Sequence, residues 1–189
     1  MHTRKATRED AEKIAEFIAM AEGEMLVYFF KTDDPNIHRN GLLSFILSPT
    51  LNRYSLDMNI VAEENGVVAG SVTAFPADRQ PELDIPLIER LKQSGVTVEK
   101  LFLEGAPGTY YLSTMGVNPD FRGRGIGTML MEAAEEEGRN LGFEKTSLLV
   151  SKDKDRARHL YERRGYEIVD DAVAIAVGAE YYRMAKNLL

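Results

Sequence analysis

Residues 109–142 constrain this chain more than any other segment. A β-rich run, TYYLSTMGV, passes through NPDFRGRGIG into TMLMEAAEEEGRNLG, with glycines at 123, 125 and 127 alternating with Arg122, Arg124 and Ile126. A strand here has to end before Pro119, whose nitrogen donates no ladder hydrogen bond. Past the loop, Ile126, Met129, Leu130, Ala133, Ala134 and Leu141 recur near one face of a helix, while Glu132, Glu135, Glu136 and Glu137 are expected to face largely away. A second β-rich run, EKTSLLV, follows. Strand, glycine turn, helix and strand make a crossover unit long enough to join parallel neighbours, so the segment predicts an α/β fold.

The first amide N–H groups of such a helix lack intrahelical partners and carry the positive end of its dipole, so they can bind an anion. The glycines let the backbone approach a bulky anionic group and adopt turn angles that a side chain would oppose. Arg122 and Arg124 add donors suited to phosphate oxygens. Spacing narrows the choice of cradle. No Lys-Ser or Lys-Thr pair follows the glycines, as a nucleoside-triphosphate loop requires. Met129-Leu130 lies beyond Gly127, so the third glycine of a dinucleotide fingerprint is missing. From the glycines alone, a plain strand-to-helix turn with solvated arginines stays open.

The rest of the chain fits one α/β unit. Residues 2–6 read as a strand, and Thr7 and Asp10 have the spacing of a cap before the helix AEKIAEFIAMAEG. GEMLVYFF is too apolar for a surface loop; KTDDPNIHRN reads as a polar connection to a second helical segment around GLLSFILS. NIVAEENGVVAGSVTAF is a hairpin turning at Asn65-Gly66. Residues 76–108 carry helical spacing at Ile88 and Leu91, and less regularly at Val98 and Leu101. Helix DRARHLYERRG, strand YEIVD and a last strand near EYYRMAKNL complete the order, with no internal repeat.

Composition removes whole classes of chemistry. The absence of Cys excludes disulfides, thiolate metal sites and a cysteine nucleophile, and fits a reducing compartment. The N-terminal stretch has no apolar signal core and no run approaches the roughly 20 apolar residues of a membrane helix, so a cytoplasmic protein without membrane contact is expected. A net charge of −7 opposes general nucleic-acid affinity and favours a cationic substrate. His2, His38 and His159 share no ligand spacing, and 34–41 fails as a calcium loop because Arg39 stands where its glycine is needed, so no metal is expected.

Two blocks together carry a family resemblance: Arg122-Gly-Arg-Gly125-Ile-Gly127, preceded by GVNPDF, and Ala157-Arg-His-Leu160-Tyr161-Glu-Arg-Arg-Gly165-Tyr166 downstream. They resemble the phosphate-loop motif [RQ]-x-x-G-x-[GA] and the block A-x-x-[LF]-Y-x-x-x-G-[FY] of the Gcn5-related N-acetyltransferases (GNAT). The close resemblance covers about 110–170; 20–60 and 76–109 match no motif and are expected to be acceptor-side elaborations of a single domain, 1–189. It implies a mixed, twisted, splayed sheet flanked by helices on both faces, with acetyl-coenzyme A as cosubstrate. Arg122, Gly123, Arg124, Gly125, Ile126, Gly127 and Thr128 would hold its pyrophosphate, and Met115, Gly116 and Val117 would pair with the pantetheine arm.

The same resemblance implies the chemistry. A thioester is already activated, so the enzyme has to place a neutral amine, stabilise an oxyanion and protonate the departing thiolate. Tyr161 occupies the proton donor's position; a phenol is protonated at neutral pH. Its alternative is a core tyrosine. Relatives that use a glutamate base often place it early in the strand before the loop, where this chain has Tyr110-Tyr111-Leu112-Ser113. Glu63, Glu64 and Glu104 are candidates, a water chain is another, and the base is left unassigned. Many relatives carry Asn at the position of Lys154, which here either reaches a phosphate or points outward. Tyr28, Phe29 and Phe30 belong to an acceptor pocket or to the core. The acceptor is a small amine or a peptide, a homodimer is compatible with the sequence, and the rival readings are a coenzyme A-binding regulatory module without strong catalysis and an adaptor using the acidic helix face.

Overall fold

The computed structural model describes residues 1–174 and 180–189, and of 171–174 the backbone alone. Strand β1 (His2–Lys5) leads into a capping box in which Asp10 Oδ2 accepts from the Thr7 N–H at 2.7 Å. Helices α1 (Ala11–Glu22), α2 (Glu24–Phe30) and α3 (Pro35–Ile46) follow. Strands β2 (Asn59–Glu64) and β3 (Val67–Pro76) form the expected hairpin. Asn65 and Gly66 hold φ of 53° and 78°, both left-handed, which matches the strand twist of a two-residue turn. Then come α4 (Gln80–Leu83), α5 (Ile85–Gln93), β4 (Tyr110–Val117), α6 (Ile126–Asn140), β5 (Lys145–Ser151), α7 (Asp155–Arg163), β6 (Glu167–Ala174) and β7 (Glu180–Asn187).

These strands form one sheet in the order β1-β2-β3-β4-β5-β7-β6, antiparallel except for the parallel pair β4–β5 that α6 connects. Its two faces are read from alternate residues. Ile60 and Ala62 of β2 join Leu130, Met131 and Ala134 of α6 in one cluster; Val61 joins Ile14 and Ile18 of α1 and Leu42 of α3 in the other. Helices therefore cover both faces, as expected.

Two features shape the sheet centre. A Cβ on Gly116 would lie 2.6 Å from Phe17 Cβ, so α1 comes down on β4 at a distance only glycine permits. The β4–β5 ladder runs only from Tyr110↔Thr146 to Leu112↔Leu148, after which β4 continues beside β3 and β5 beside β7. At that divergence Thr73 faces Thr114 and Ala74 faces Leu112, leaving Ser113 as an unpaired bulge residue. The sheet opens into a splay, as the family resemblance implied.

Four expectations differ. Helix α3 starts at Pro35, inside the stretch read as a polar connection, because the Asp34 side chain accepts from Asn36 N–H at 2.8 Å and proline suits the first turn. Val98 and Leu101 lie outside any helix, packed half-buried on the α1 side. Glu135 does not face away: it is buried, accepting from the Tyr166 hydroxyl at 3.0 Å and paired with Lys186 at 2.6 Å. Leu141, placed on the apolar face, ends the helix exposed.

Candidate active site

The glycine loop forms a bare concavity. Gly123 and Gly125 have φ of 76° and 80°, and among the described residues no heavy atom beyond their chain neighbours lies within 4 Å of where their Cβ atoms would stand. The first α6 bond to the loop runs from Met129 N–H to Gly125 O at 3.0 Å, so Ile126, Gly127 and Thr128 present N–H groups with no intrahelical acceptor. Ile126 anchors the loop in the core. A Cβ on Gly127 would lie 3.8 Å from Met115 Cε and 4.0 Å from Val117 Cγ2, so the loop stands against the free end of β4. Arg122 is exposed. Arg124 lies over the Phe121 ring at 5.1 Å and pairs with Glu64 at 3.1 Å.

Beyond the bulge the splay opens into a cavity of about 320 Å³. Met115, Ser151, Lys154 and Tyr161 line one half of it. Ser113 lines it as well, its Oγ buried and without a partner among the described residues. The Tyr161 ring packs edge-on to Tyr166 at 6.1 Å, and burial pushes its hydroxyl above the ordinary phenol range, so it stays protonated through neutral pH. Lys154 caps α7, its carbonyl accepting from Ala157 and Arg158 N–H groups at 3.0 Å.

The other half is acidic, and of its charged members only Glu104 was among the expected candidates. Arg53 reaches Asp84 through Nε–Oδ1 at 2.6 Å and Nη2–Oδ2 at 3.0 Å, and donates from Nη1 to Glu104 Oε1 at 2.7 Å. Tyr111 completes Glu104 by donating to Oε2 at 2.8 Å. Gln80 steadies this array, donating to Asp84 Oδ2 at 3.1 Å and accepting the Glu104 N–H at 2.9 Å. Arg183 pins the same segment by donating to the Glu104 carbonyl at 2.8 Å. Glu22, at the C-terminal end of α1, accepts from the Tyr54 hydroxyl at 2.6 Å. Burial, with the nearby charges of Glu104 and Asp84, pushes the Glu22 carboxyl up to about 7 against the pull of Arg53 and Tyr54. Asp84 and Glu104 thus share one guanidinium, and Glu22 lies close enough to feel its charge.

Of the proposed bases, Glu104 lies in the cavity wall, whereas Glu63 pairs with Arg4 at 2.7 Å on the outer strands and Glu64 with Arg124. Phe29 lines the cavity, and Phe30 lies in the core. Glu22, Arg53, Tyr54 and Asp84 went unseen in the sequence. The one signal for Glu22 is its place in the last turn of a helix, where the dipole favours a cation and a carboxylate is held at a cost.

A mixed sheet splayed beside an amide-lined loop at the start of a crossover helix is the acetyltransferase class of fold. The acetyltransferase (GNAT) family matches residues 17–166, and the chain belongs to that family. It is 39% identical over 74 residues to the mycothiol acetyltransferase of Propionibacterium freudenreichii subsp. shermanii, covering 39% of this chain and 23% of that protein. It is 32% identical over 114 residues to an acetyltransferase of Pectobacterium atrosepticum, covering 60% of each. The crystal structure of an acetyltransferase matches over the full length of both chains, with a TM-score of 0.78 and 29% identity.

Proposed function

We propose that this chain transfers the acetyl group of acetyl-coenzyme A directly to a primary amine, and that the acceptor is a small cationic amine. The observation that carries the reading is the shared cavity: the splayed strand ends and Tyr161 form one half, and Glu22 and Glu104 the other. The bare glycine concavity and the orphaned Ser113 hydroxyl in the splay fit a bound cosubstrate. Arg122, Gly123, Arg124, Gly125, Ile126, Gly127 and Thr128 would hold its phosphates, with Lys154 at the cavity mouth, and Met115, Gly116 and Val117 its arm. Bound there, the cosubstrate supplies an acetyl group already activated as a thioester. Tyr161, kept protonated by burial, serves as proton donor to the leaving sulfur. The carboxylates attract an ammonium and repel an acceptor that carries its own carboxylate, so a simple amine is favoured over a free amino acid. The acceptor half is built from 20–60 and 76–109, the segments outside the family motifs, within what we read as a single domain.

Calorimetric titration with acetyl-coenzyme A tests the donor, with Gly125→Glu alongside to set a carboxylate in the concavity. Wild-type binding that the variant loses supports the cradle; no binding by either removes the reading. Thiol release with a panel of diamines, monoamines and amino acids then tests the acceptor. Tight cofactor binding with no turnover on any amine would favour the regulatory module.

A further inference from the structure

We propose that Glu22 accepts the proton of the incoming ammonium, and that Tyr54 is the positioning residue that holds Glu22 for it. The inference rests on the acetyl-transfer reading above and names a residue that reading leaves open. The cavity has two carboxylates in its wall, and their surroundings divide the work. Both oxygens of Glu104 are committed, one to Arg53 and the other to Tyr111, which leaves neither open to a substrate. Only Oε2 of Glu22 is tethered, by Tyr54; among the described residues no protein group bonds Oε1. A carboxylate with a free oxygen on a substrate cavity can take a proton, and one with both oxygens occupied by donors resists it.

Position supports the division. Glu22 lines both the inner cavity and the wider opening outside it, between the α1–α2 turn and the turn from β5 to α7. A proton collected inside can therefore leave without crossing the site. The charged and polar neighbours of Glu22 pull on it in opposite directions. Arg53 and the Tyr54 hydroxyl favour the ionised form; Asp84 at the start of α5 and Glu104 in the 94–109 segment oppose it. Tyr111 of β4 lies behind Glu104, Tyr181 of β7 and Lys154 line the far wall, and Glu24 and Asp153 stand at the opening. The balance leaves the carboxyl at about 7, where it can gain and lose a proton under ordinary conditions.

The proton inventory closes. The ammonium gives one proton to Glu22 and becomes the nucleophile. As the C–N bond forms and the C–S bond breaks, the nitrogen loses a second proton and the sulfur gains one, by way of Tyr161. Glu22 then releases its proton to solvent, so one amide, one thiol and one proton result.

Carbon-13 NMR titration of the glutamate carboxyls in the full chain, without cosubstrate, tests the site independently of turnover. One glutamate should titrate near pH 7 in wild type and vanish from the titration in Glu22→Gln; no glutamate titrating above about pH 6, or one that survives the substitution, overturns the proposal. With an amine found by the acceptor panel, Glu22→Gln should lower kcat about a hundred- to ten-thousand-fold at pH 8 and remove the acidic limb of the pH profile. Tyr54→Phe, which keeps Glu22, should move that limb to higher pH, and Glu104→Gln should move it lower; unmoved limbs in both would leave Tyr54 no positioning role. If no amine is acetylated and acetyl-coenzyme A does not bind, the transfer reading falls and this one with it. Acetylation whose limb survives Glu22→Gln overturns the role of Glu22 alone.

Discussion

Arg53 and Asp84 face each other as a two-point ion pair, with both side chains 2% exposed. The same guanidinium also carries Glu104, so one buried cation balances two carboxylates. Removing one partner of such a pair leaves an uncompensated buried charge, whose cost exceeds the net worth of the pair. Arg53→Met should therefore destabilise the fold by about 3–5 kcal/mol. Urea unfolding of the two proteins side by side measures this, and a loss below about 1 kcal/mol would mean that water reaches the array.

Tyr161→Phe removes the hydroxyl while keeping the ring against Tyr166. Cofactor affinity by calorimetry should be unchanged within about twofold, while kcat falls by about a hundredfold or more, the ordinary worth of a general acid. Equal rates for both proteins across the pH range would take Tyr161 out of the reaction.

Gly116→Ala puts a methyl group where Phe17 already stands, with the α1 backbone behind it. Neither wall can swing aside as a flexible side-chain tip would. The cost of overpacking is about 1–3 kcal/mol, and α1 should lift from β4. The denaturant midpoint gives the first, and weakened acetyl-coenzyme A binding reports the second, because Met115 and Val117 flank the same glycine.

Stability should carry the mark of Glu22. Its folded pKa lies above the unfolded value, so the native state binds more protons than the unfolded chain between about 4.5 and about 7. Its contribution to stability is full below about 4.5 and is lost as pH rises through about 7. Asp10 has the opposite sign: the Arg4 guanidinium holds its carboxyl below the ordinary value, and that contribution is lost as pH falls through its folded pKa. Glu22→Gln should flatten the decline between pH 5 and 7 and leave the acid limb intact, as followed by urea midpoints across pH.

The sequence disclosed what is local. Asn65-Gly66 can only turn tightly, the loop glycines can only precede a helix after Pro119, and the two blocks around Gly125 and Tyr161 speak for a family. Apart from Glu104, the acidic half of the cavity was illegible because its members come from separated stretches. Arg53 meets Asp84, and Tyr54 meets Glu22, only after the chain closes. Apart from the place of Glu22 in the last turn of its helix, nothing local distinguishes those residues from solvated side chains. Glu135 shows the same limit: its helical position suggested water, and Lys186 on the last strand made it a core residue.

The unpaired Ser113 has a consequence for chain length. Tyr110 and Leu112 point to the α6 side and so do Met115 and Val117, even numbers before the bulge and odd numbers after it. The extra residue is a phase shift within one strand. Deleting it would carry Met115 and Val117 to the α1 side and drive Gly116 toward α6, removing at once the glycine that Phe17 needs and the methionine that flanks the phosphate loop. At this point of β4 a change of residue can be absorbed, but a change of count cannot.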